Sequence, residues 1–354
     1  MNSKQRVTTA FAFEIPDRVP IDYMANPGID SRLKAHFGLS TTDDEGLRQA
    51  LGVDFRGATP RYIGPPLHRA PEGVRVNMWG AHTRWVEHET GGYWDYCEWP
   101  LADADVEEIA AWPMPSPDDF DYDGAVAEAE RFSDHYVTIG HPGIGDIINS
   151  TGMVRKMDQV LVDLLTDAPE SRTYFERKCA IELEVMGRML ESAQGKVDML
   201  WIGEDLGTQI GPLISLELYR RVIRPMQQRF VDLASAYGIP TMIHSCGSSS
   251  WAFEDFIEMG IRVVDTLQPE AADMAPGYLK KRFGDRLAFH GMISTAGPVA
   301  SGTEAEARAS VRTVLDVMKP GGGYAFAPTH ELQDNSPTEN VVAAYEEART
   351  AGCY

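Results

Sequence analysis

Cations are scarce in this chain. Only 32 Lys and Arg stand against 53 Asp and Glu, a net charge of −21 at pH 7. No extended basic run occurs, so the clustered Lys and Arg that nucleic acid or an anionic membrane surface requires are missing. Cysteine is also sparse: Cys97, Cys179, Cys246 and Cys353 show no paired spacing, which excludes a disulfide-built scaffold. No apolar run approaches the ~20 residues that cross a bilayer, and MNSKQRVTTAFAFEIPDR at the start lacks the long apolar segment of a secretory signal. These absences predict a soluble cytoplasmic protein that binds neither nucleic acid nor membrane. Phosphate-loop chemistry is missing too. GHPGIGD (140–146) has no GxGxxG, and GGGY (321–324) lacks the lysine and spacing of a nucleotide loop.

What is present is a regular alternation of strand and helix. Strand candidates are 18–23, 53–59, 136–140, 197–204, 239–244, 262–267, 287–291 and 324–328. Several are apolar throughout, as strands covered on both faces are. Helical spacing runs through 168–194, 215–238 and 303–318, with Pro225 placed to kink or divide the second. Eight such strands predict a (β/α)8 TIM barrel, one domain spanning 1–354. Residues 60–120 break the pattern and hold five of the seven tryptophans. VRVNMWGAHTRWVEHETGGYW reads as a β-hairpin turning at Gly91-Gly92, an insertion that covers one end of the barrel.

In such barrels the chemistry sits at the C-terminal strand ends. His244-Ser245-Cys246 closes the strand IPTMIH. Side chains two apart on a strand share a direction, so an imidazole and a sulfur aim at one point, half of a zinc site. Each histidine alone is more often a hydrogen-bonded structural residue than a ligand, but the strand ends gather many polar groups together. His244, Cys246 and His330 form a soft ligand set suited to Zn2+. Glu204 and Asp205 end the neighbouring strand, and either completes the metal shell or serves as a general base; Asp205 also suits a turn cap. His290 joins them as a catalytic candidate. Asp22, Asn26, His141 and Gln268 are substrate-contact candidates, with Tyr23 and Asp146 at the same rim.

GEDLGTQIGPLISLELYRRVIRPM (203–226), HSCG (244–247), PGGGYAFAPTHELQDNSPTENV (320–341) and DRVP (17–20) resemble the uroporphyrinogen decarboxylase superfamily. The resemblance spans essentially the whole chain and implies a single barrel. That superfamily holds decarboxylases and zinc- and cobalamin-dependent methyltransferases. MANPGIDSRL (24–33) replaces the arginine-rich motif of the decarboxylase branch, whereas H-x-C matches the methyltransferase branch, with His330 in place of its late cysteine. The resemblance therefore implies a zinc-dependent methyltransferase that moves methyl between an oxygen, sulfur or nitrogen of a small molecule and a corrinoid. No D-x-H-x-x-G cobalamin signature is present, so the corrinoid (cobalamin) would ride on a separate partner protein. Alternatives are a decarboxylase or lyase acting on a carboxylated substrate, and a non-catalytic corrinoid- or metal-binding subunit. A homodimer is compatible with either.

Overall fold

The computed structural model describes all 354 residues. Seven parallel strands pair in sequence order: β1 (Phe55–Gly57), β2 (Tyr136–Gly140), β3 (Met199–Gly203), β4 (Thr241–Ser245), β5 (Val263–Thr266), β6 (Ala288–Ile293) and β7 (Tyr324–Pro328). From β2 to β7 nearly every strand residue is buried, matching the apolar runs of the sequence. The eighth place belongs to residues 18–22, which make bridges rather than a regular strand. Phe326 N–H donates to Pro20 O, Asp22 N–H to Phe326 O, and Asp54 N–H to Ile21 O, each at 2.8 Å. The segment thus joins β7 to β1 and curls the sheet into a TIM-barrel-like form. Pro20 has no N–H to give, which limits the regular ladder there.

Two cores follow from the two faces of the strands. The larger lies between sheet and helices. The smaller fills the inside of the curl with Phe55, Tyr136, Met199, Met242, Val263, Ala288 and Ala325, and is closed from below by Val7 and Phe11 of α1 (Ser3–Phe11). Strand periodicity of two sets what comes next. Two residues above Met242, Val263 and Ala288 stand His244, Asp265 and His290. An apolar floor therefore supports a polar layer, with the barrel mouth above it.

The region 60–120 folds outside the barrel. Val74–Val76, His82–His88 and Gly91–Tyr96 form a three-stranded antiparallel sheet. His88 pairs with Gly91, so the turn falls at Glu89-Thr90, two residues before the expected Gly91-Gly92, and both glycines lie in the returning strand. Pro225 divides its helix as expected: a wide helical turn at Tyr219–Ile223 separates Leu216–Leu218 from Arg224–Ala236. No helix is long and apolar enough to cross a membrane.

Candidate metal centre

His244 and Cys246 meet just past the end of β4. His244 Nε2 lies 3.3 Å from Cys246 Sγ, and one ligand atom each from His244, Cys246 and His330 lie within 4.8 Å of one another. Ligands around one tetrahedral zinc stand about 3.5 Å apart, given the usual Zn–N and Zn–S bond lengths. The His244–Cys246 spacing already fits. His330, exposed on the loop after β7, needs only a small side-chain adjustment. The donor set of two imidazoles and one sulfur suits zinc.

The backbone makes this convergence possible. Gly247 has φ +69° and a Cβ there would strike the backbone of Gly207 and Thr208; glycine lets the loops after β3 and β4 touch. Asp205 Oδ1 accepts from Cys246 N–H at 2.8 Å, and its Oδ2 accepts from Asn149 Nδ2 at 2.8 Å. Asp205 Oδ1 also stands 3.8 Å from His244 Nε2.

Beneath the cluster runs a buried chain of alternating charge. His244 Nδ1 lies 2.7 Å from Asp265 Oδ2. A carboxylate can only accept, so Nδ1 carries a hydrogen and Nε2, the nitrogen facing Cys246, is the one left for a metal to bind in place of a proton, the usual outer support of a metal-binding histidine. Asp265 Oδ1 is 2.6 Å from His290 Nδ1, and His290 Nε2 is 3.1 Å from Asp22 Oδ2. Cross-strand register aligns the three: Asp265 pairs with both His244 and His290. Burial opposes the charge on His290, yet Asp265 and Asp22 on either side outweigh it and raise its pKa to about 9. Burial likewise opposes ionisation of Asp265, and the two imidazoles overcome it, holding the carboxyl below its ordinary range. His244 is raised in turn, against burial, chiefly by its bond to Asp265. Thr266, at φ +85°, adds a hydroxyl 2.7 Å from His244 Nδ1; a β-branched residue there carries strain of about 1–3 kcal/mol.

The cluster opens into a cavity of about 1180 Å³ that includes Asn26, Asp146, Glu204, Asp205, His244 and His330 in its wall. Tyr93, Trp94, Tyr96 and Trp99 from the excursion form another part of that wall. The hairpin is seated at its tip, where a Cβ on Gly91 would collide with the Asp334 carboxylate. Asp334 follows His330 by four residues and accepts from Ile29 N–H at 2.8 Å in α2 (Pro27–His36). One loop therefore carries a metal-ligand candidate and the seat of the hairpin.

Four expected contacts lie elsewhere. His290 is wholly buried with both nitrogens engaged, because β6 continues to Ile293 and leaves it a layer below the mouth. Asp22 faces His290 rather than the cavity. Gln268 accepts from Gly247 N–H at 2.7 Å; Thr266 and Leu267, both with positive φ, turn the chain before it, and it steadies the Cys246 loop. His141 lines a separate small cavity with Trp79 and Met78. The residue is exposed at one side, but the protein crowded around its ring and the nearby Lys178 charge lower its pKa, and its Nδ1 accepts from Gly143 N–H at 3.0 Å. Asp265 is the residue that sequence reading missed. Its signal was a carboxylate inside the otherwise apolar strand RVVDTL.

A parallel-stranded barrel-like fold with a histidine–cysteine–histidine cluster at its C-terminal mouth defines the general class. The profile of the family described as uroporphyrinogen decarboxylase (URO-D) matches residues 155–351, and the chain belongs to that family. A solved structure described as a methyltransferase from Methanosarcina mazei has the same fold, with a TM-score of 0.65 at 16% identity, covering 99% of this chain and 98% of that one. No curated protein matches the sequence.

Proposed function

We infer that this protein is a zinc-dependent methyltransferase, moving a methyl group between a heteroatom of a small molecule and the corrinoid of a separate partner protein. The observation that carries this reading is the convergence of His244 Nε2, Cys246 Sγ and His330, with Asp265 fixing the His244 tautomer. The similarity in fold to a methyltransferase supports it. His244, Cys246 and His330 would hold the metal. Bound there, zinc would supply Lewis acidity to an oxygen, sulfur or nitrogen that gains or loses methyl.

The chain's own residues have definable tasks. Asp205 holds the Cys246 backbone and faces the cavity beside His244, where it can accept a proton from a bound thiol or alcohol. Burial and the neighbouring Asp146 raise the Glu204 pKa well above its ordinary range, against the two backbone N–H groups that lower it. A carboxyl whose pKa is raised in this way is suited to return a proton to a leaving heteroatom. Asn26 is placed to touch substrate. The decarboxylase alternative loses ground because no arginine lines the cavity, and a polycarboxylate substrate needs such cations.

Elemental analysis tests the reading. Wild-type protein should carry about one zinc per chain. Cys246→Ser should lose most of it while remaining folded, His330→Ala should lose part, and methyl transfer to added cobalamin should fall with metal content. Equal zinc content in all three proteins would overturn the ligand set.

A further inference from the structure

The cavity wall contains one basic side chain other than histidine, Lys156. Its position is unusual. It ends the helix α3 (Ile148–Arg155) and begins α4 (Met157–Thr166), both of which line the cavity. Its backbone has φ +69° and ψ 136°. Glycine adopts such a conformation readily, whereas a residue with a side chain holds it at a cost of about 1–3 kcal/mol. A lysine kept there indicates that its side chain matters more than the strain. Its ammonium lies 5.5 Å from the Trp99 ring centroid, and it belongs to none of the protein's ion pairs, which engage Lys4, Lys34, Lys178 and Lys196 instead.

The acids of the same wall are differently provided for. Asp146 accepts from Asn149 and Ser150. Asp205 accepts from Asn149 and Cys246. Glu204 accepts from the Ile147 and Ile148 N–H groups. Asp158 sits in the first turn of α4, where the helix dipole favours its charge. Glu331, the remaining acid of the wall, is exposed beside His330. Lys156 is the wall's one ammonium, and no acid pairs with it. The same cavity wall carries flat and polarizable surfaces: Tyr93, Tyr96, Trp99, Met153 and Met157. Such walls favour a planar ring by stacking and sulfur contacts.

We propose that the substrate is a planar ring bearing a single anionic group, the ring lying along the Tyr96–Trp99 wall and the anion bound by Lys156. Only the orientation rests on the methyl-transfer reading: the methyl-bearing heteroatom would face His244, Cys246 and His330.

Binding to the zinc-loaded protein, followed by tryptophan quenching and calorimetry, tests this without requiring turnover. The probes are para-methoxybenzoate, the neutral para-methoxybenzamide, the cationic para-methoxybenzylammonium, and methoxyacetate, an anion without a ring. The benzoate should bind about five- to tenfold more tightly than the amide, and methoxyacetate should bind weakest. Lys156→Met should abolish the preference for the benzoate without changing amide binding, and Lys156→Arg should retain it. Lys156→Gly should also abolish it while melting no lower than wild type, because it relieves the strain. The proposal is overturned if the ammonium binds tightest, if methoxyacetate matches the benzoate, if Lys156→Met leaves the preference intact, or if no probe binds. Charge-selective ring binding with no methyl passed to added cobalamin would keep this inference and remove the methyl-transfer reading. Transfer without charge selectivity would do the reverse.

Discussion

Asp265 and Glu204 are both buried carboxyls on the inner side of the barrel, with 0% and 1% exposure, yet their pKa values are moved in opposite directions. Asp265 lies between two imidazoles and stays ionised. Glu204 lies beside Asp146, which pushes its pKa up. Burial penalises ionisation of both, so the neighbour decides the outcome. One half of the barrel mouth thus rests on a charge-balanced relay that orients a metal ligand. The other half holds an acid of raised pKa in the cavity wall. The same residue chemistry yields a fixed anion for positioning and a proton store for reaction.

Removing the anion of the relay should have the largest effect. Asp265→Asn leaves the His290 imidazolium short of a counter-ion and no longer fixes the His244 tautomer. It should cost about 3–5 kcal/mol in stability, as breaking a buried ion pair does. Zinc affinity should fall about 10- to 100-fold, and denaturant titration and metal competition would measure the two effects.

The pH dependence follows from His290. Its folded pKa, about 9, lies above the ordinary imidazole value of about 6.5. The stability it contributes is therefore fully present below about 6.5 and is lost as pH rises through about 9, a change of about 3 kcal/mol for a group this buried. Melts of metal-free protein between pH 6 and pH 10 should show that decline, and His290→Gln should remove its share and leave that of His244, whose pKa is also raised. A profile unchanged by the substitution would place the titrating group elsewhere.

Glu204→Gln should be the mildest change. It preserves shape and, with the Glu204 pKa raised, removes little charge, so it should cost about 1 kcal/mol, mostly from one oxygen that no longer accepts a backbone N–H. A loss as large as that of Asp265→Asn would mean that Glu204 is ionised, and the contrast between the two sites would disappear.

Much of this arrangement was legible in the sequence, for identifiable reasons. A parallel sheet covered on both faces writes itself as apolar runs, and seven of the expected strands form. The H-x-C pair was legible because strand periodicity alone makes residues 244 and 246 converge. His290 was misplaced because Gly291 reads as a strand stop, while β6 tolerates it with φ +123° and continues. Asp22 and Gln268 were assigned to the cavity because a strand end gives position but not direction. Asp265 escaped notice since its role depends on register between β4, β5 and β6, which single-chain patterning does not encode. The seat of the hairpin on Asp334 is likewise a contact between segments far apart in sequence.

The central claim is that one nitrogen of His244 and the sulfur of Cys246 bind the same ion. X-ray absorption at the zinc edge of the purified protein tests it most directly. The account predicts one sulfur at about 2.3 Å together with nitrogen or oxygen neighbours at about 2.0–2.1 Å, and loss of the sulfur shell in Cys246→Ser. A zinc shell containing no sulfur in the wild-type protein would contradict it.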